Sequence, residues 1–138
     1  EILNHKLLRA YEVFKQPVLV DDTSVHFDEL KGFPGPYIKY FWDHFTPEEV
    51  GTKFEGSRMT AVCRLGLCRS PGDIIIAKGE VSGKIIKPKD NNHNGQQFDL
   101  FLQADGTDRP MIEFSVKEKN EISHRGLATK HLLEILSN

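Results

Sequence analysis

The sequence predicts an α/β fold, a central mixed and strongly twisted sheet flanked by helices, with an active cleft at the strand ends. Three observations carry that expectation: apolar patterns of helical period at both ends of the chain, a continuous β-branched run at Val18-Leu19-Val20, and two-residue alternation from Arg58 onward. The 138 residues fit one domain, long enough to bury roughly two-thirds of the surface of the unfolded chain.

Ile2, Leu3, Leu7, Ala10, Val13 and Phe14 recur at helical spacing, so the first helix has one apolar face and ends before Gln16-Pro17. Lys6 falls on that face. Residues 17–20 then read as a strand covered on both sides, ending in Asp21-Asp22-Thr23. In residues 31–37, two glycines and two prolines impose a tight, rigid loop. The aromatic run over residues 37–45 looks helical, and Thr46-Pro47-Glu48-Glu49 supplies an N-cap, a first-turn proline and a capping glutamate for the next helix.

From residue 58 to 67, Met59, Ala61, Cys63 and Leu65 alternate with Thr60, Val62 and Arg64, a strand with two different faces. Ser70-Pro71-Gly72-Asp73 turns it, and strands over residues 74–77 and 80–86 continue an antiparallel meander, with Gly79 and Gly83 as bulges or close approaches. Residues 87–97 form a polar loop, and residues 98–102 return to strand. Ser115-x-x-Glu118 is a capping box, and Ser123 caps the last helix, whose Leu127, His131, Leu132, Ile135 and Leu136 share a face.

With 18 basic and 20 acidic residues, the net charge of −2 gives no general attraction to nucleic acid or an anionic membrane, so any anionic ligand must be held by local charge. No apolar stretch approaches the ~20 residues of a membrane span and nothing at the start reads as a basic segment, apolar core and cleavage site, so a soluble, cytoplasmic protein is expected. The chain opens at Glu1 in a helical pattern with no strand before it, so a preceding segment is expected. Cys63 and Cys68 lack the Cys-x-x-Cys or neighbouring histidines of a zinc site, and read as reduced thiols or as a disulfide across the hairpin.

Asp21 and Asp22 are the first candidates for chemistry, because ligands of α/β folds gather at the carboxyl ends of strands. Adjacent strand residues point to opposite faces, so at most one aims into a given cleft. The alternative is that the pair only caps a turn. Lys6, Lys39, Lys119 and Arg125 are candidate anion ligands, although a long lysine stem on an apolar face also snorkels to solvent. Ser123-His124-Arg125, at a helix start, cannot act as a nucleophile and its base, since adjacent helical side chains diverge. It suits recognition of a keto oxygen, or is an ordinary N-cap followed by polar residues. No P-loop and no G-x-G-x-x-G fingerprint occurs.

Three segments in order, Val18-Leu19-Val20-Asp21-Asp22-Thr23, the stretch from Gly32-Phe33-Pro34-Gly35-Pro36-Tyr37 through Ile38-Lys39-Tyr40-Phe41, and Glu118-Lys119-Asn120-Glu121-Ile122-Ser123-His124-Arg125, resemble the signatures of the Ham1, or inosine triphosphate pyrophosphatase, family. Gly83-Lys84-Ile85 and Asp105-Gly106 fill the interval. The resemblance implies one ITPase-like domain over residues 1–138, without the family's opening strand, loop and helix and their Thr/Ser-x-Asn-x-x-Lys motif. It implies hydrolysis of deaminated purine nucleoside triphosphates, such as inosine and xanthosine forms, to monophosphate and pyrophosphate, by a homodimer using magnesium, with manganese as a substitute. By position, Asp22 would activate water or hold the metal and Asp21 would assist. Lys6, Lys39 and Lys119 would face the phosphates, and Phe98, Asp99, Ser123, His124 and Arg125 would read the base. Where the family has aromatic, glycine, aromatic and then Asp-Pro, this chain reads Gln96-Gln97-Phe98-Asp99-Leu100, so a glutamine replaces the first, base-stacking ring. Losing that platform would cost ~1–3 kcal/mol of binding. The same departure motivates a second reading, a weak or inactive member retained for dimerisation or for binding a protein partner.

Overall fold

The computed structural model describes residues 2–89 and 97–138. In chain order the elements are α1 (Ile2–Phe14), β1 (Val18–Phe27), β2 (Pro34–Gly35), α2 (Ile38–Trp42), α3 (Pro47–Lys53), β3 (Arg58–Ser70), β4 (Asp73–Ile85), β5 (Leu102–Ala104), α4 (Val116–Ile122) and α5 (His124–Leu136). Both predicted capping boxes form: Thr46 and Ser115 accept from the backbone N–H groups of Glu49 and Glu118, whose side chains return the bond. Ser123 caps α5 by accepting from Gly126 N. No described helix is long and apolar enough to cross a membrane.

The sheet runs β2-β1-β3-β4-β5. In place of the predicted mixed sheet, all four pairings among the described residues are antiparallel. The β3–β4 hairpin closes through Pro71-Gly72, too short for the crossover that a parallel neighbour needs. β4 is one strand rather than two, with its register shift between Cys68 and Ser70 of β3 and not at Gly79 or Gly83. The expected strand over residues 98–102 is instead a 3₁₀ turn, Gln97–Leu100, followed by β5. Of the polar loop expected over residues 87–97, residues 90–96 lie outside the described residues.

β1 corrects two expectations. It continues for ten residues through Asp21-Asp22-Thr23, so the two acids lie in mid-strand and do not cap a turn. Nor is it covered on both sides throughout, since Leu19 is 59% exposed. Along one edge β1 pairs with β3 over its whole length, and along the other it pairs with β2 only at Val25 and His26. Among the described residues its edge from Val18 to Ser24 is therefore open.

A helix lies on each face. α1 packs Leu3 and Leu7 with Cys68, Val18 and Val20 on one side, where Gly66 leaves room: a Cβ there would lie 2.5 Å from Leu7 Cδ1. α5 packs Ala128 and Leu132 with Cys63, Leu65 and Ala77 on the other. Below α5 on that same side lies the main core, in which Phe27 contacts Phe41, Phe54 and Phe101. Cys63 and Cys68 thus face opposite sides, and both are free, which removes the disulfide alternative.

Gly79 sets the depth at which α5 sits, because a Cβ built there would stand 2.2 Å from Ala128 N and 2.3 Å from His124 O. Backbone cannot yield as a side-chain tip can, so the helix itself would have to move. Gly79→Ala is expected to lower stability by about 1–3 kcal/mol, the usual cost of overpacking, read as a lower midpoint in urea with an unchanged m-value.

Candidate functional site

The period-two geometry of β1 separates its two acids. Asp22 shares the α1 face with Ser24 and His26, and Asp21 shares the α5 face with Thr23 and Val25.

On the α1 face Lys6 donates to Asp22 at 2.9 Å, with half of the lysine side chain exposed. An ion pair that open contributes ~0–1 kcal/mol, so it does little for stability and can be exchanged for a ligand. Asp22 opens into a cavity of about 460 Å³ walled also by Ile2, Leu3, Ser24, His26, Pro36 and Arg64. His26 ties the wall together. Its Nδ1 lies 3.1 Å from the Gly32 carbonyl, which can only accept, so Nδ1 carries the proton and Nε2 accepts from the Ser24 hydroxyl at 3.0 Å. The glycine-proline loop is thereby fixed to β1 beside Asp22, and its positive φ values at Lys31, Gly32 and Gly35 supply the turn the sequence predicts. Lys39 is exposed on α2, three residues beyond Pro36, and forms no ion pair or hydrogen bond among the described residues.

On the α5 face Arg125 Nε donates to Asp21 Oδ2 at 2.6 Å, which holds the Arg125 guanidinium above its ordinary pKa. The Cys63 thiol lies 3.7 Å from Asp21 Oδ1, and burial first, then the Asp21 charge, pushes its pKa up to about 12, so it stays a protonated donor. Lys119 forms a charged hydrogen bond with Asp99, which is only 1% exposed. A buried carboxylate needs such a partner, so Lys119 fixes Asp99 and is drawn to that side rather than towards Asp22. His124 begins α5 at 3% exposure, its ring edge-on to Phe98 at 5.2 Å, and neither ring nitrogen has a hydrogen-bond partner among the described residues. A buried polar group in that state is costly unless something else supplies its partner. The close seat of this turn depends on Gly126, where a Cβ would stand 1.8 Å from Asn120 O.

Asp21, Asp99, Lys119, His124, Phe98 and Arg125 thus gather on one face, and Asp22, Lys6 and the Pro36 loop on the other. Ser24, His26 and Arg64 are absent from the sequence-predicted set. Positions 24 and 26 follow from Asp22 by period two once β1 is known to continue, whereas Arg64 is found only from the β1–β3 register.

The Ham1 family pattern matches residues 1–135. The chain belongs to the Ham1 family. It is 36% identical over 132 residues to inosine triphosphate pyrophosphatase 1 of Trypanosoma cruzi, covering 93% of this chain and 67% of that protein. It is 37% identical over 136 residues to the inosine triphosphate pyrophosphatase of Pyricularia oryzae, covering 96% and 70%. Among solved structures, a HAM1 protein from Coxiella burnetii superposes with a TM-score of 0.81 at 24% identity, over 97% of this chain and 74% of that one. The Ham1 protein of Staphylococcus aureus gives 0.74 at 24% identity, over 96% and 72%. These establish the Ham1 fold, helices flanking a common sheet.

Burial lowers the pKa of His124 from 6.5 to about 4, helped by the Arg125 and Lys119 charges and opposed by Asp21. Unfolded, the ring takes up a proton below 6.5, while folded it stays neutral down to about 4, so this stability is complete above 6.5 and is lost as pH falls towards 4. We expect the protein to be about 2 kcal/mol less stable at about pH 5 than at about pH 7.5 from this group, and His124→Gln to reduce that difference, as measured by urea unfolding.

Proposed function

We propose that this chain hydrolyses deaminated purine nucleoside triphosphates, the inosine and xanthosine forms, to the monophosphate and pyrophosphate with magnesium, acting in the cytoplasm as a homodimer. One observation carries the reading: the first of three motifs distant in sequence meets both of the others, with Asp21 bonded to Arg125 of the third and Pro36 of the second walling the cavity of Asp22. The names of the relatives, inosine triphosphate pyrophosphatases, agree with it.

Attack on the α-phosphorus needs a polarised water and cations that neutralise the departing pyrophosphate. Asp22 orients and deprotonates the water, and Asp21, its charge balanced by Arg125, assists. Lys6 and Lys39 face the phosphates, with Lys119 bracing Asp99 at the other end. Phe98, Asp99, Ser123, His124 and Arg125 read the base. With His124 neutral and Arg125 charged, that end presents donors, which suit a keto oxygen and would leave the amino group of adenine facing other donors unpaired.

Among the described residues no three His, Cys, Asp or Glu side chains gather to hold a metal ion. Magnesium does not need such a cage, since it keeps several waters and binds through one or two carboxylates together with substrate phosphates. Asp22, with Asp21 behind it, fits that mode. The ion, when bound, supplies positive charge to the phosphate oxygens and acidifies the attacking water. Exposed Phe33, Tyr37, Tyr40 and Phe45, two of them in ring contact with Phe41, support self-association, and two free thiols fit a reducing compartment. The second reading, a weak or inactive member kept as a binding module, is favoured only by the altered Gln96-Gln97 segment, of which Gln96 lies outside the described residues.

The test is release of pyrophosphate from inosine triphosphate with magnesium, compared with adenosine triphosphate. Asp22→Asn is expected to lower kcat by about a hundredfold or more with the fold intact by circular dichroism. Unchanged turnover would remove Asp22 from its role, and absence of both turnover and nucleotide binding in the unaltered protein would favour the second reading.

A further inference from the structure

We propose that Arg64 is an additional phosphate-binding residue, reaching from β3 into the Asp22 cavity to hold the polyphosphate chain of the nucleotide. The inference rests on the functional reading above for the identity of its ligand. Directly opposed residues of neighbouring strands share a face, and the register sets Asp22, Arg64 and Lys78 in one row across β1, β3 and β4. Arg64 stands in the middle of that row and forms part of the cavity wall.

Its neighbours are already matched. Asp22 takes Lys6 at 2.9 Å, and Lys78 lies 3.7 Å from Glu80. Arg64 is half-buried and forms no ion pair or hydrogen bond among the described residues, although a carboxylate lies directly across from it. Lys6, Arg64 and Lys78 therefore oppose Asp22 and Glu80, leaving one positive charge in excess. Lys78, directly opposed to Arg64 on one side, offsets part of the attraction that Asp22 offers it on the other.

The chemistry of the cavity selects the anion. The guanidinium is a planar fork that matches two phosphate oxygens. Beside it Ser24 and His26 bond to each other at 3.0 Å, which leaves the cations as the donors for an anion. A cavity of about 460 Å³ has room for a linear polyphosphate. Arg64 thus adds, from the sheet, a second cation beside Asp22 to the one that Lys6 contributes from α1.

The test is calorimetric titration of the full chain with inorganic tripolyphosphate, comparing the unaltered protein with Arg64→Gln, Arg64→Lys and, as a charge control on the opposite face, Lys130→Gln. Arg64→Gln is expected to weaken binding about tenfold, Arg64→Lys to fall between, and Lys130→Gln to bind as the unaltered protein does. In turnover of inosine triphosphate, Arg64→Gln is expected to raise KM more than it lowers kcat. Equal affinity in Arg64→Gln, an equal loss in Lys130→Gln, no binding by the unaltered protein, or affinity that merely follows a fall in Tm would each overturn the proposal. Tripolyphosphate binding that depends on Arg64, in a protein that does not hydrolyse inosine triphosphate, would overturn the enzymatic reading and leave the anion site standing.

Discussion

Successive side chains of a β-strand point to opposite faces, and at Asp21-Asp22 that alternation decides which charged groups each acid meets. Asp22 can meet only what α1 and the Pro36 loop bring to one face, and Asp21 only what α5 brings to the other. Neither ion pair holds its helix in place. Both are substantially exposed, and such pairs contribute at most about 1 kcal/mol. Burying one large aliphatic side chain contributes more, roughly 1.5–3 kcal/mol. The helices are therefore seated by Leu3 and Leu7 against Gly66, and by Ala128 and Leu132 against the Gly79 side of β4, and the charges follow.

That ordering explains which features were legible in the sequence. Caps were legible because they are local: Thr46 with Glu49 and Ser115 with Glu118 lie within one turn of each other, and both form as read. Lys6 stood out because its helix is amphipathic, and it does reach a carboxylate. The length of β1 was not legible, since hydrophobic patterning stops at Asp21 although the backbone pairing with β3 continues to Phe27. Ser24 and His26 bond to each other and His26 to the Gly32 carbonyl, a local arrangement that becomes visible only once β1 is known to continue past Asp22. Phe98, Leu100, Phe101 and Leu102 look like a buried strand, yet Phe98 and Leu100 fill the core from a 3₁₀ turn, because a short apolar run fixes burial without fixing backbone geometry. Gly79 could be read as a close approach, but only the fold identifies the backbone of α5 as what approaches it.

Two faces carrying different chemistry raise the question of how one substrate could touch both. Passage through the sheet is closed, since β1 pairs with β3 along its full length. The other edge of β1 is different: among the described residues it is unpaired from Val18 to Ser24, and Asp21 and Asp22 both stand on that stretch. Under the proposed function the phosphates would lie against Asp22, Lys6 and the cavity, and the base against Asp99, His124 and Arg125, with the scissile phosphorus beside the two acids. Strand alternation would then let two adjacent carboxylates serve the two halves of one extended molecule.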